Sequence, residues 1–302
     1  MSGNRVVACY VIAMRQSVSC LMDVRCVKDA DPSWSDAMLE HWEAVARTTA
    51  AEMMIGPVGA FSFLTDGVAD GSQGEVNSIH IPVYPHSIVD SFSRRGYVHA
   101  WSGSVWGRQG DSSAEHYNRD PRVPGVRKGS WMNIASSVKN IESVLSASFV
   151  SLPWHRGRGA GIMDLVRSYV PVFDPHLGLQ GTFENKTVGA VLMYRDVASI
   201  PQFVFGLPQS LQRIWLWWAS HRSNVLHVSV IGLLPGSRNS RVAKALFEVT
   251  QAILDGASGV TTSWVRDENR ASQMMCARAG LSPLQHRTVF QKILTTQPFS
   301  NQ

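Results

Sequence analysis

Cysteine is scarce in this sequence, and the few cysteines present do not fit a metal site. The 302-residue chain carries four, at Cys9, Cys20, Cys26 and Cys276. Zinc ligands come in closely spaced pairs, and these spacings match no such motif. The first three lie in apolar or strand-like stretches, so we expect buried free thiols, no bound metal and a reducing, cytoplasmic compartment.

Long apolar runs are lacking as well. No run approaches the roughly 20 residues that a membrane-spanning helix needs. Residues 1–14 hold a short apolar run but lack the long apolar region and the cleavage site of a signal peptide, and we interpret them as a strand. With 44% hydrophobic and 17% charged residues, the composition is that of a soluble globular protein, and no membrane partner is expected.

The charge is basic but dispersed. The formal net charge is +5, and the isoelectric point is about 9.2. A basic protein attracts coenzyme A (CoA), an acidic acyl carrier protein or tRNA through its long-range field. The charge therefore admits these three partners without selecting one, and a solvated basic surface explains it equally well.

The hydrophobic pattern divides into two blocks. In the first, up to residue 101, it predicts the order β-β-α-β-α-β; in the second, from residue 137, it predicts α-α-β-β-β-α-β-α-β. Between them, residues 102–130 are rich in Gly, Ser, Arg and Pro without sustained periodicity, and we interpret them as a linker. We therefore place one domain at 1–123 and a second at 124–302.

The clearest chemical signal lies in residues 228–254, "VSVIGLLPGSRNSRVAKALFEVTQAIL". A predicted strand runs to Pro235, and a polar turn then leads into a predicted helix. At the start of a helix, unpaired backbone N–H groups and the positive end of the dipole favour an anion. The pattern therefore predicts an anion site in the turn before this helix.

This segment resembles the central motif of the GCN5-related N-acetyltransferase (GNAT) superfamily, in which a strand is followed by R-x-x-G-x-G/A and a helix. The residues in that slot are Arg238, Asn239, Ser240, Arg241, Val242 and Ala243. Further on, Asn269 and Gly280 have the separation of the Asn and Gly in the superfamily's second motif. The resemblance implies an α/β GNAT fold with a mixed sheet, acetyl-CoA or another acyl-CoA as donor, and an amine as acceptor.

A second stretch carries the consensus letters more faithfully. Arg156, Gly159 and Gly161 match R-x-x-G-x-G letter for letter. However, they follow a helix-like segment and precede a predicted hairpin, whereas the phosphate loop joins a strand to a helix. Because geometry makes an anion site, we assign the cofactor to residues 238–243. In the superfamily this earlier region borders the acceptor, so Arg156 is predicted to contact the substrate.

The first block resembles the C-terminal half of a second GNAT domain. It has the superfamily's order of helix, strand, helix and strand, with the second helix ending at Arg95-Gly96-Tyr97. The chain as a whole is therefore similar to tandem members of the superfamily. The first block has no recognisable phosphate loop, so we expect it to pack against the second block and shape the acceptor cleft without binding cofactor.

The resemblance also suggests where the reaction occurs. It implies a backbone N–H near Leu233 or Leu234 that receives the acyl carbonyl. Cys276 follows Asn269 by seven residues, where the family often has a Tyr that protonates the leaving thiolate; it is equally typical of a small buried residue. Arg241 replaces the usual Gly, and its side chain either blocks the pyrophosphate or adds a charged bond to it.

A general base and an acceptor pocket are the remaining expectations. His227, His221 and Glu184 are candidate bases, and each is also compatible with a structural or surface role. Trp215 and Trp218 lie three residues apart on a predicted helix, where they either pack over the sheet or form an aromatic wall of the pocket.

Three functions remain open from the sequence. The leading one is an N-acyltransferase that moves an acyl group, acetyl above all, from CoA or a carrier thioester to the amine of a small molecule. The alternatives are an aminoacyltransferase that uses aminoacyl-tRNA and a non-catalytic binding module that has kept the fold.

Overall fold

The computed structural model describes residues 8–26, 33–58, 67–69, 76, 84, 87–109, 123–148, 174–197, 204, 206–237 and 240–294. The strands in these ranges are β1 Ala8–Arg15, β2 Val18–Cys26, β3 Met53–Val58, β4 Val68–Ala69, β5 Val98–Gln109, β6 Val126–Lys128, β7 Gly178–Phe183, β8 Lys186–Arg195, β9 Val225–Leu233, β10 Gly259–Arg266 and β11 Ser282–Ile293. The helices are α1 Ser33–Thr48, α2 Ser87–Arg94, α3 Ile134–Ser148, α4 Gln209–Arg222, α5 Arg241–Asp255 and α6 Arg270–Arg278. None of the helices in the described ranges is long and apolar enough to cross a membrane.

All eleven of these strands belong to one sheet. Its order is β1-β2-β3-β11-β5-β10-β9-β8-β7-β6, with β4 paired to β11. The pairs β2–β3 and β9–β10 are parallel, and the other pairs are antiparallel. The predicted α/β fold with a mixed sheet is therefore confirmed.

Two parts of the chain repeat the same arrangement. The order β2-α1-β3-α2-β5, interrupted only by the two-residue strand β4, recurs as β9-α5-β10-α6-β11. In each repeat the two strands joined by the first helix, β2 with β3 and β9 with β10, pair in parallel. The buried positions of the two longer helices follow the same spacing: Ser35, Met38, Leu39, Trp42, Glu43 and Ala46 in α1, and Val242, Ala245, Leu246, Val249, Thr250 and Ile253 in α5. The pattern of the first block is thus that of a half-domain related to the second.

The ends of α2 and α6 confirm this correspondence. Each is followed by a glycine in the left-handed region, Gly96 with φ 76° and Gly280 with φ 69°. The next N–H then turns back: Tyr97 donates to Phe92 O, and Leu281 donates to Cys276 O, both at 3.0 Å. Only a residue without Cβ adopts this helix-ending turn without strain. Phe92 and Cys276 consequently occupy equivalent positions.

The last strand of each repeat pairs with strands of the other repeat. β11, the final strand of the second repeat, lies between β3 and β5 of the first. β5, the final strand of the first repeat, lies between β11 and β10. The sheet is therefore continuous across the predicted division at residues 123 and 124, and that division stays a prediction.

The interpretation of residues 102–130 as a linker was wrong at both ends. Residues 102–109 complete β5, and residues 126–128 form β6. The glycines that suggested a loop have another role. A Cβ on Gly103 would lie 2.5 Å from Val265 O, and a Cβ on Gly107 would lie 2.5 Å from Val260 O. Glycine here allows close approach between strands.

The core of the first repeat is filled by aromatic side chains. Trp42 is fully buried, stacks on Tyr97 at 5.6 Å between ring centroids, and donates from Nε1 to Ser19 Oγ at 2.9 Å. Phe92 stacks on Phe290 of β11 at 4.6 Å. The last strand of the chain thus completes the core of the first repeat.

A buried ion cluster joins the same elements. The Glu43 carboxylate is 3.0 Å from Lys292 Nζ on β11 and 3.3 Å from Arg95 Nε. Burial by itself raises the pKa of this carboxyl, but hydrogen bonds from Arg95 and Lys292 outweigh it and keep the pKa below its ordinary value. Glu43 is therefore ionised at neutral pH and attaches β11 to α1.

We expect Trp42→Ala to lower the free energy of unfolding by about 3–5 kcal/mol, because it leaves a cavity beside Tyr97 and removes the bond to Ser19. Urea unfolding followed by circular dichroism measures the change. Trp217→Ala is the matched control, since the Trp217 side chain is 53% exposed and its loss should cost within about 0.5 kcal/mol. Equal losses in the two variants would contradict the assigned core.

Candidate functional site

The sheet opens in its middle. β9 and β10 pair in parallel only from Val225–Gly259 to Val228–Thr262. Past this point β9 stays paired with β8, and β10 stays paired with β5. The register between β8 and β9 shifts between Val230 and Val228, and such a bulge bends a strand and increases its twist. The two central strands therefore separate at Ser229.

A cavity of about 160 Å³ occupies this opening. Its walls come from β9, β10, α5 and α6, and they are mainly apolar with several hydroxyl groups. The lining residues are Val228, Ser229, Val230, Ile231, Phe247, Thr250, Leu254, Thr262, Ser263, Trp264, Val265, Arg266, Asn269, Ser272, Met275, Cys276, Ala279 and Leu281. The cavity thus passes between two helices to the point where the strands part.

Side-chain size explains why the second repeat has this space. Cys276 and Leu281 line the cavity, and the equivalent residues of the first repeat are Phe92 and Tyr97. Trp42 likewise takes the place of Val249 and is fully buried. Among the described residues of the first repeat, aromatic rings therefore fill the volume that the second repeat leaves open.

In chain order, α5 is the next element after β9. Ser240 is its N-cap: its Oγ accepts from Ala243 N–H at 3.2 Å and donates to Ser237 O at 2.7 Å. Arg241 begins the helix with an exposed side chain, and Val242 is buried. The first turn therefore presents backbone N–H groups beside the exposed, cationic side chain of Arg241, and such a combination favours an anion. The predicted residues Arg238 and Asn239 lie outside the described ranges, as does Arg156.

The backbone of β9 supplies a further donor. Leu234 N–H donates to Val188 O at 2.9 Å and is engaged within the sheet. Successive N–H groups of an antiparallel strand point to opposite sides. The N–H groups of Leu233 and Ile231 therefore point away from β8, to the side where β10 has separated. Ile231 lines the cavity, whereas Leu233 and Leu234 do not. The bulge that places Ile231 there has no signature in the sequence.

Cys276 and Asn269 both reach the cavity. Asn269 is the N-cap of α6, and its side chain accepts from Ser272 N–H at 3.2 Å. Burial raises the pKa of the Cys276 thiol to about 11. Because an ordinary thiol has a pKa near 8.5, proton transfer from Cys276 to a leaving thiolate is uphill. Cys276 is thus a neutral, small side chain of the cavity wall.

The three candidate bases lie in different places. His227 is 1% exposed and bonded to Thr261 and Ser263. Glu184 is an exposed turn residue between β7 and β8, with φ 47°, and it does not line the cavity. His221 lies on α4, where its ring contacts Trp217. Of the three, His227 alone is linked to the cavity wall, through Ser263.

The predicted aromatic wall lies apart from this cavity. Trp215 and Trp218 are on α4, and neither lines the cavity. Trp218 is 46% exposed, with the Arg222 guanidinium 4.1 Å from its ring centroid. The structure therefore brings together Asn269, Cys276 and His227, but not Trp215, Trp218 or Glu184.

The comparisons with known proteins address the fold. No protein-family model matches the sequence, and no curated protein matches it significantly. A GCN5-related N-acetyltransferase from Sphaerobacter thermophilus aligns with 95% of this chain and 76% of its own, with 14% identity and a TM-score of 0.52. A tandem GNAT protein from the clavulanic acid biosynthesis pathway aligns with 97% of this chain and 81% of its own, with 13% identity and a TM-score of 0.53.

The chain therefore has the fold of the GCN5-related N-acetyltransferases, in the tandem arrangement. This confirms, at the level of fold, the resemblance that the motifs of the second block suggested. A repeated fold also accounts for the parallel strand pair in each repeat. Among the described residues, the cavity lies in the second repeat.

The buried thiol gives a direct test of the cavity wall. At pH 8 we expect Cys276 to react with iodoacetamide about two orders of magnitude more slowly than an ordinary thiol, because its pKa of about 11 leaves little thiolate. The rate should rise as the pH approaches 11. Peptide mapping by mass spectrometry measures labelling at this residue, with urea-unfolded protein as control. Equal rates in folded and unfolded protein at pH 8 would refute the assignment.

Proposed function

We propose that the protein is an N-acyltransferase that transfers an acyl group from acyl-CoA to the amine of a small molecule. The observation that carries the proposal is the opening between β9 and β10, together with the cavity that lies between α5 and α6 at that opening. The tandem GNAT neighbour is described as determined without acetyl-CoA, which makes acetyl-CoA the first donor to test.

The donor is held at two places. Its phosphates lie at the first turn of α5, where backbone N–H groups, the helix dipole and Arg241 favour negative charge. Arg238 and Asn239 are proposed to join them on the strength of the motif. The thioester arm then follows the cavity between the helices, where apolar walls and the hydroxyls of Thr250 and Ser272 suit a chain of methylene and amide groups.

The reaction takes place where the strands part. The amine nitrogen attacks the thioester carbonyl, the C–N bond forms, and the C–S bond breaks. The Ile231 N–H, directed into the opening, donates to the carbonyl oxygen as negative charge develops there. Cys276 contributes through its size, since a larger side chain at this position fills the first repeat.

We expect Cys276→Phe to abolish acetyl-CoA binding, because it places in the second repeat the side chain that Phe92 supplies in the first. Isothermal titration measures the affinity, and thermal unfolding verifies that the variant is folded. Met274→Phe is the matched control: Met274 is on the same helix, 56% exposed and not part of the cavity wall. Unchanged affinity in folded Cys276→Phe would place the donor elsewhere.

A ligand panel separates the three functions. CoA or acetyl-CoA at 100 times its dissociation constant should stabilise the protein by roughly 2.7 kcal/mol, and acetyl-CoA with an amine should release free CoA. Stabilisation by deacylated tRNA alone would instead indicate an aminoacyltransferase. No stabilisation by any of the three would leave a binding module that has kept the fold, and the proposed function would be wrong.

A further inference from the structure

A chain of polar side chains runs inward from the cavity wall. Ser263 lines the cavity, and its Oγ lies 3.1 Å from His227 Nε2. His227 Nδ1 lies 2.9 Å from Thr261 Oγ1, and Thr261 Oγ1 lies 3.5 Å from Asp196 Oδ2. His227 and Asp196 are each only 1% exposed. Three polar side chains, Ser263, His227 and Thr261, thus connect the opening between β9 and β10 to the buried Asp196 carboxylate.

The bonds in this chain have one consistent direction. The Thr261 hydroxyl donates to Asp196 Oδ2. The Thr261 oxygen then accepts from His227, which assigns the ring proton to Nδ1. His227 Nε2 is left as an acceptor, and Ser263 donates to it. The group next to the cavity is therefore a hydroxyl bonded to the basic nitrogen of an imidazole.

The position of the chain coincides with the place where the strands separate. His227 and Thr261 are partners in the parallel pairing, one step before its last pair, Val228 and Thr262. Ser263 is the first residue of β10 beyond that pairing. A proton acceptor at this point borders the opening between the two strands.

The first repeat provides an internal comparison. Its third parallel pair is Cys20 and Ile55, which stands where the second repeat has His227 and Thr261. Cys20 and Ile55 are fully buried in an apolar cluster. The filled repeat therefore has apolar residues at both positions, and the repeat with the cavity has polar residues, although a buried polar group costs free energy unless it is bonded.

We propose that Ser263, His227, Thr261 and Asp196 form a proton relay for acyl transfer, an inference that rests on the proposed function. As the C–N bond forms and the C–S bond breaks, the amine proton passes to Ser263 Oγ while the Ser263 proton passes to His227 Nε2. The reverse transfers deliver it to the departing thiolate, so CoA leaves as a thiol. Ser263 is the catalytic residue that meets the amine; Thr261 and Asp196 are positioning residues that orient and stabilise the imidazolium.

The pair Thr261→Val and Thr261→Ser tests the relay, because Val keeps the shape and Ser keeps the hydroxyl. We expect Thr261→Val to lower kcat about tenfold or more, as part of the roughly 10²- to 10⁴-fold that positioned proton transfer contributes, with the acetyl-CoA dissociation constant unchanged. Thr261→Ser should stay within about threefold of the parent kcat. Ser35→Ala, which removes a buried hydroxyl bonded to Ser91 in the first repeat, controls for a general loss of stability.

The opposite ranking, with Val tolerated and Ser impaired, would show that Thr261 acts through packing and would overturn the relay. An independent readout is the tautomer of His227, read from ¹H–¹⁵N correlations of the ring and assigned by the signal that His227→Gln removes. We expect the proton on Nδ1; a proton on Nε2 overturns the relay without reference to activity. Failure to bind any acyl-CoA refutes the proposed function itself, whereas transfer at the parent rate by Thr261→Val refutes only the relay.

Discussion

The separation of β9 from β10 is the constraint on which the rest of the structure depends. Strands that part in the middle of a sheet leave backbone N–H and C=O groups without ladder partners, and such groups cost free energy when buried. The bulge at Ser229 makes the separation possible, and helices α5 and α6 cover it. The cavity at this separation is the feature on which the proposed site for the acyl donor rests.

The strands that the repeats share keep this opening in place. β10 has lost β9 along its second half, but it is paired with β5 on its other side. β5 in turn pairs with β11 along nearly its whole length, and Lys292 of β11 is held by Glu43 of α1. Through β5 and β11, the aromatic core of the first repeat thus holds β10, the strand that forms one wall of the cavity. The first repeat therefore supports the cavity of the second.

The two repeats show how few residues decide between a core and a cavity. Both have the same parallel strand pair, the same buried helix spacing and the same glycine turn after the second helix. Phe92 and Cys276 differ in side-chain volume, and Cys20 and His227 differ in polarity. Because a protein interior is close-packed, the larger residues complete a core, and the smaller ones leave a space that polar groups border.

The preference for residues 238–243 over 156–161 stays a prediction. The sequence by itself determined most of the helices and strands in the described ranges, among them β9 and the helix α5 that follows it, but not β4 or β6. These are local patterns of periodicity and capping, which residues close in the chain specify. Tertiary structure alone decided that β5 continues through the supposed linker and that β11 enters the first repeat. It alone buried His227 beside Ser263 and placed Glu184 and the α4 tryptophans away from the cavity, because long-range pairing and packing depend on residues far apart in the chain.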